Sequence, residues 1–461
     1  MPIGYSRLPG SGFSASQISL TSVTRRSHRL EAGCKTTSKS RISRKQRAAF
    51  VISKTVNNLI CSLYLIVYWV RETPDDNIWA FAVIGSTFLK ILMTYRPQSL
   101  LFSLYVATVY LYLIPAMGFI SAGLGNPLPY IALTVLAVDL LNYLSEKFSP
   151  AIRVATPMRR SDFRIWLTLL LASAAGGLFL PSEKFIGLFS FAIPFSLSFL
   201  YFERLIPLSP RRVLFGMLVT YAMIVAIYAA FYWDGYGRLM IGAYILIPLF
   251  IADRLRDFGL RVWHAVALAP PALAISHYSR YGTSAKARDL AGGSAAHHLQ
   301  LTMELVGSSA AQLYGGFARF LEQYSLLFLN WVPRDLWPDK PLGLGLTSID
   351  EWFGRAGYDK GYSVSLGMFG EQIYLLGDCF IITWLLVLAT IVLLRKVVVI
   401  LSRGYVAPIV VFDVNLISYI WGGCATFGSR IWFFVVPMLG VITVWRFVRV
   451  RSNLLGQNGQ S

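Results

Sequence analysis

Charge is scarce in this chain of 461 residues: only 14% are Asp, Glu, Lys or Arg, while 55% are hydrophobic. Soluble domains carry about a quarter charged residues, so the deficit excludes an ordinary soluble protein. Cysteine is scarce too. Cys34, Cys61, Cys379 and Cys424 stand singly, which excludes a disulfide framework and a thiolate metal site. The chain has no Asp-x-Asp, no Gly-rich loop ending in Gly-Lys-Ser/Thr and no Gly-x-Ser-x-Gly. Soluble nucleotide-fuelled chemistry therefore has no support. Acidic residues are few beside the basic ones, leaving a net charge of +19, which raises the question of a polyanionic partner.

What the chain does have is long apolar runs, all but the short one at 239–252 of about 17–23 residues and so long enough to cross a bilayer. Twelve are read, near 50–70, 78–94, 99–121, 128–146, 165–181, 184–202, 213–233, 239–252, 262–279, 376–394, 405–427 and 431–447. The expected fold is an all-α polytopic membrane protein with about twelve transmembrane helices. Alternating the spans from an inside N-terminus collects the basic excess on one side, as in the Arg153, Arg159, Arg160 and Arg164 cluster. That is the positive-inside signal: it places both termini in the cytoplasm and makes nucleic acid an unnecessary partner. Trp69, Trp79, Trp166, Trp233 and Trp263 fall at span ends, as an interfacial aromatic belt requires. Residues 1–48 are Ser-, Thr-, Arg- and Lys-rich with few large apolar residues, too poor to form a core, and read as a disordered basic tail able to meet anionic lipid. The segments are then 49–279 with spans one to nine, 280–371 as a long outside loop, 372–448 with spans ten to twelve, and 449–461 as a second inside tail.

The loop of 280–371 is the only long polar interruption after the first span. Its centre reads Pro333-Arg334-Asp335-Leu336-Trp337-Pro338-Asp339-Lys340-Pro341. Three prolines in nine residues forbid a regular helix and predict a stiff extended loop that presents Arg334 and Lys340. Two cations on such a loop can grip a phosphate group. Residues 299–329 read as helix, and Arg319 lies off its apolar face. Ser348, farther along, is expected to be reachable from outside. Arg238 in Asp234-Gly235-Tyr236-Gly237-Arg238 and Arg430 in Gly428-Ser429-Arg430 fall where outside turns join spans. With Arg334 they could share one anion site, although single arginines at span ends also snorkel to lipid phosphates. Trp337 reads as an interfacial anchor first and as a sugar-stacking platform second. Glu371, at the head of span ten, needs a partner or a cavity. His297-His298 cannot chelate zinc together, since neighbours on a helix point apart; His298 suits a general base instead.

These residues carry a family likeness. A late outside loop, then Pro-Arg-x-x-Trp-Pro-x-Lys-Pro, then Gly370-Glu371-Gln372-Ile373-Tyr374 and a final pair of spans, resembles the bacterial O-antigen (Wzy-type) polysaccharide polymerases. Gly235 to Arg238 and Arg430 also fit that pattern, whereas Gly377-Asp378 and the long basic tail depart from it. The resemblance implies a GT-C-like architecture and a metal-independent glycosyltransferase without cofactor. Its substrate would be an undecaprenyl-diphosphate-linked oligosaccharide, joined into O-antigen, capsule or exopolysaccharide at the outer face of the bacterial cytoplasmic membrane. It implies catalytic roles for Arg334, Glu371 and His298, and substrate contacts from Arg238, Arg319, Trp337, Lys340 and Arg430. Membrane lipid, a flippase and a chain-length regulator would be its partners.

Two other readings stay open. One is a glycan ligase or a polyprenyl-phosphate-sugar glycosyltransferase, the latter suggested by Glu72, Asp75 and Asp76 in the first outside loop. The other is a flippase or ion-coupled transporter, suggested by Asp139, Asp378 and Asp413 within apolar runs.

Overall fold

The computed structural model describes residues 44–71, 76–94, 99–122, 125–147, 193–205, 302–305, 315–332, 334, 336–345, 347–348 and 366–458, with isolated positions between 215 and 299. Among them all regular structure is helical. In chain order the elements are α1 (Arg44–Arg71), α2 (Asp76–Met93), α3 (Ser99–Thr108), α4 (Ile114–Ala122), α5 (Leu128–Lys147), α6 (Ile193–Leu205), α7 (Phe317–Leu329), α8 (Gly367–Leu376), α9 (Phe380–Ser402), α10 (Ala407–Arg430) and α11 (Val436–Asn458). Among the described residues, five stretches are long and apolar enough to cross a membrane: Ala48–Val70, Leu100–Ser121, Leu128–Ser145, Gly367–Ser402 and Ala407–Phe447. The chain is a multi-pass helical membrane protein. Of the twelve spans expected from hydropathy, those near 165–181, 213–233, 239–252 and 262–279 lie wholly or mostly outside the described residues, as does much of 184–202.

Two proline residues explain two local irregularities. Val109–Leu113 and Ile431–Val435 are single turns of π-helix, and each ends two residues before a proline, Pro115 and Pro437. Proline brings no N–H and crowds the carbonyl four residues earlier. Widening the preceding turn accommodates both defects while the helix continues.

Two of the apolar stretches double back within themselves. Gly377 adopts φ 54°, ψ −126° at the C-cap of α8, and the Phe369 and Trp384 rings then lie 5.2 Å apart. A straight helix would separate residues fifteen apart by about 22 Å, so α8 is folded against the start of α9. The span expected at 376–394 thus begins after the turn at Gly377–Cys379. Asp378 is exposed on that turn rather than inside a span. Likewise α10 is interrupted at Gly423, φ 72°, ψ −162°. Phe427 returns to within 5.6 Å of Phe412, and Arg446 Nη2 reaches 3.5 Å from the Arg403 carbonyl. The reversal between the last two spans therefore falls at Gly423 and not at Gly428-Ser429-Arg430. Arg430 lies on the returning helix, because the residues after Gly423 are helix-competent and only a glycine accepts this positive φ without strain.

The first arm of α10 is the centre of the described structure. Every residue from Ala407 to Ile420 is buried, and the helix packs against α3, α7, α8 and α9. Its leading amides and its buried carboxylate, Asp413, are matched, while the Tyr419 hydroxyl is buried without a hydrogen-bond partner among the described residues. Glu203 on α6 accepts the Val406 and Ala407 N–H groups at 2.6 and 2.8 Å, satisfying donors that the first helical turn leaves open. Asp413 receives Arg395 Nε at 2.7 Å and Nη2 at 3.2 Å, a two-point pair that ties α9 to α10. Nearer the N-terminus, Asp139 holds fully buried Lys90 at 2.9 Å, with Lys54 at 3.8 Å. Asn58 donates to the same carboxylate at 2.6 Å.

Removing one member of the Arg395–Asp413 pair should cost much more than removing both. Asp413→Ala strands a buried guanidinium and should lose about 3–5 kcal/mol, seen as a lower thermal midpoint in detergent and reduced abundance in membranes. The double change Arg395→Met with Asp413→Leu should recover most of that loss. An Asp413→Ala protein of native stability would show that the pair does not hold the helices together.

Candidate functional site

The Pro-rich segment follows directly from α7, and its shape is set by one lysine. Lys340 Nζ turns back to donate to the Asn330 and Val332 carbonyls at 2.5 and 3.0 Å. Val332 N–H to Leu329 O and Lys340 N–H to Trp337 O, both 3.0 Å, close tight turns at either end. The segment is therefore a clasped series of turns and not the extended loop expected from its prolines. Proline forbids helix continuation but is at home in turns. The lysine supplies the closing contacts that no backbone N–H at 333, 338 or 341 can give.

This clasp lines a cleft of about 580 Å³. Its walls come from three places: Leu326 and Asn330 at the end of α7; Arg334 and 340–343 from the clasp; and Ala425, Thr426, Ser429 and Arg430 from the returning arm of α10. None of the described lining residues is acidic. Arg334 is exposed, and its guanidinium has only a long contact, Nη2 to Pro341 O at 3.4 Å. Arg430 is half-buried, and its Nη1 is buried without a hydrogen-bond partner. A guanidinium nitrogen left unsatisfied away from water is costly. Such a site offers fork-shaped donors for phosphate oxygens beside small hydroxyl side chains.

The expected site residues are partly brought together. Arg334, Lys340 and Arg430 line the one cleft, with Lys340 spending two of its three donors on the clasp. Arg319 is half-buried on α7 and Trp337 half-buried in the clasp, and neither lines the cleft. Glu371 sits on α8, only 3% exposed, and does not line the cleft either; its Oε2 accepts the Cys424 N–H at 2.8 Å. Arg238 and His298 lie outside the described residues. Ser348, expected to be reachable, is fully buried and donates to Leu344 O at 2.7 Å, because it turns inward on a short helical turn after the clasp.

Sequence reasoning missed Asn330, Thr426 and Ser429. Asn330 Nδ2 donates to Ala425 O at 2.6 Å, tying the clasp to the returning arm. Gly428 allows the close approach of α7: a Cβ there would meet the Leu326 carbonyl and the Leu327 backbone. Trp432 Nε1 donates to Leu327 O at 3.3 Å beside it. The readable signal was the Gly422-Gly423 doublet within an apolar helical pattern, which marks a break. No protein-family model, no curated protein and no solved structure matches the chain.

Lys340 should behave as the clasp and not as an interchangeable surface charge. Lys340→Met keeps the stem but removes two charge-assisted hydrogen bonds, each worth about 1.5–3 kcal/mol. Amide hydrogen exchange across 331–340 in the purified protein should quicken by about tenfold or more, while that of α9 stays unchanged. Unaltered exchange in the clasp would assign its shape to the prolines alone.

Proposed function

We propose that this protein polymerises oligosaccharide repeat units carried on undecaprenyl diphosphate at the outer face of the bacterial cytoplasmic membrane. The observation that carries this reading is the convergence of Arg334 and Arg430 on a single cleft with no acidic residue in its described lining, while Arg430 Nη1 has no hydrogen-bond partner among the described residues. The arrangement is suited to a diphosphate. In the transfer, the bond between the anomeric carbon and the diphosphate oxygen breaks as a bond to the acceptor hydroxyl oxygen forms. The departing diphosphate takes the electron pair, and the hydroxyl proton goes to a base. Negative charge grows on the leaving group, so guanidinium donors stabilise the transition state more than the bound donor. With Glu371 engaged at Cys424, His298 is the candidate for the base.

The proposal includes twelve spans, both termini in the cytoplasm and the clasp outside. Buried ion pairs account for two of the three carboxylates that suggested a transporter: Asp139 and Asp413 are each paired with a basic side chain. The third, Asp378, is exposed on a turn. A ligase would use the same cleft chemistry, and the product separates the two: a ladder of repeat lengths from a polymerase, a single transfer from a ligase.

Two measurements test this. An Asp339→Cys protein lacking the native cysteines should react with a membrane-impermeant thiol reagent in intact spheroplasts; reaction only after lysis would invert the topology. In a reconstituted assay with a lipid-linked repeat unit, Arg334→Ala should abolish the ladder at near-normal abundance, since the side chain is exposed. Arg334→Lys keeps the charge but not the fork, and should remain slower by about tenfold to a hundredfold. Normal polymer from a well-expressed Arg334→Ala protein would remove the cleft from the reaction.

A further inference from the structure

Gly423 is where α10 stops and its returning arm begins, and the residue opposite it is Glu371. Two independent constraints require glycine there. Its φ of 72° lies in the region that L side chains rarely adopt, and a Cβ would fall on Glu371 Oε2. The carboxylate occupies the space the missing side chain leaves and accepts the first free amide of the returning arm, Cys424 N–H, at 2.8 Å. A helix that restarts inside a buried region leaves N–H groups without partners, and its N-terminal end carries partial positive charge. A buried carboxylate answers both.

The arm that begins at Cys424 carries Ala425, Thr426, Ser429 and Arg430 into the wall of the cleft. It is held at three levels. Glu371 holds its start, Asn330 holds the Ala425 carbonyl, and α7 presses against Gly428, where no side chain fits. Of these, only the Glu371 contact comes from the α8 side.

We infer that Glu371 is a positioning residue: its carboxylate caps the returning arm of α10 at the Gly423 break and thereby fixes where Arg430 stands in the cleft. It does not take the proton from the acceptor hydroxyl. What the cleft holds rests on the function proposed above; the placement of the arm does not, and can be measured without turnover.

The test compares Glu371→Gln, which keeps an acceptor oxygen for the Cys424 N–H but is no base, with Glu371→Leu, which has no acceptor. Each is made in the full chain with Ser429→Cys as the sole cysteine for labelling by an impermeant maleimide, with and without inorganic pyrophosphate. Each is also made with native Ser429 for the polymer assay. The Gln protein should label within about twofold of the parent and retain polymer activity within about tenfold, with an unshifted pH profile. The Leu protein should label at a rate changed by more than about fivefold and lose about a hundredfold or more of its activity, the scale of a lost charge-assisted hydrogen bond with displaced neighbours. Gly423→Ala should reproduce the Leu protein. A Gln protein that labels normally but makes no polymer would make Glu371 the base and overturn the inference. So would a Leu protein with native labelling. Should the Leu protein not accumulate, the Gln protein and Gly423→Ala decide: polymer from the Gln protein with altered labelling of Gly423→Ala upholds the inference, and a normally labelled Gln protein without polymer overturns it. If pyrophosphate never protects the parent, the anion reading of the cleft fails, while the labelling rates still decide the role of Glu371.

Discussion

A break inside a buried helix is the constraint around which the described structure is arranged. Within apolar surroundings a helix normally keeps every backbone donor and acceptor paired, and any interruption exposes some of them. At Gly423 the interruption is permitted because Glu371 is delivered to the freed amide from another helix. That delivery needs α8 to be a separate, short element. It is one because Gly377 turns the chain before α9 begins. Two glycines and one carboxylate thus act together: one glycine frees α8, the other lets α10 reverse, and the carboxylate joins the two events. Irregular backbone at such depth is tolerated where it is buried in protein or lines a cavity. Here it does both, since the residues after the break form a wall of the cationic cleft.

The buried charges elsewhere hold elements together without any comparable opening. Asp413 has both oxygens engaged by Arg395, and Glu203 has both engaged by the start of α10. Asp139 faces two lysines and an asparagine. In a medium that cannot solvate ions, a carboxylate is stable only when such partners are fixed beside it. Arg430 departs from this pattern: it has a nitrogen without a partner, and it borders a cleft. Arg395 and Arg430 lie one helix apart in sequence, yet one is completed by the protein and the other keeps a nitrogen without a hydrogen-bond partner among the described residues. That contrast is the physical basis for treating Arg430 as a ligand-binding group and Arg395 as a structural one.

Much of this was legible in the residues, in proportion to how far it depends on composition. The helices α2 to α5 begin and end within two residues of the apolar runs read at 78–94, 99–121 and 128–146, because hydropathy alone decides what enters a membrane. That Arg334 and Arg430 meet was also foreseeable, since hydropathy puts each beside a polar interruption between spans. What hydropathy cannot register is a dihedral angle. The runs around 377 and 423 stay apolar through both breaks, so the reversal was read at Gly428-Ser429-Arg430, where polarity changes, and not at Gly423, where the backbone does. The partner of Glu371 was hidden for the same reason: it is an amide that becomes free only because the chain breaks 52 residues later.

The clasp shows how two cations can take different duties within one motif. Lys340 and Arg334 lie on one Pro-rich segment and differ in the shape of their charge. An ammonium is a compact donor that can serve two carbonyls from the end of a flexible stem, whereas a guanidinium spreads its donors in a plane suited to a flat or tetrahedral oxyanion. The structure uses each accordingly. Lys340 is turned inward to the Asn330 and Val332 carbonyls, and Arg334 is left outward with one long contact. The lysine makes the segment rigid enough for the arginine to be held in place without being consumed by the protein. Asn330 extends that rigidity to the other wall through the Ala425 carbonyl. The two arginines of the cleft are therefore set by separate devices, Arg334 by a lysine clasp and Arg430 by a capped helix break, and Asn330 is the side chain through which the two devices meet.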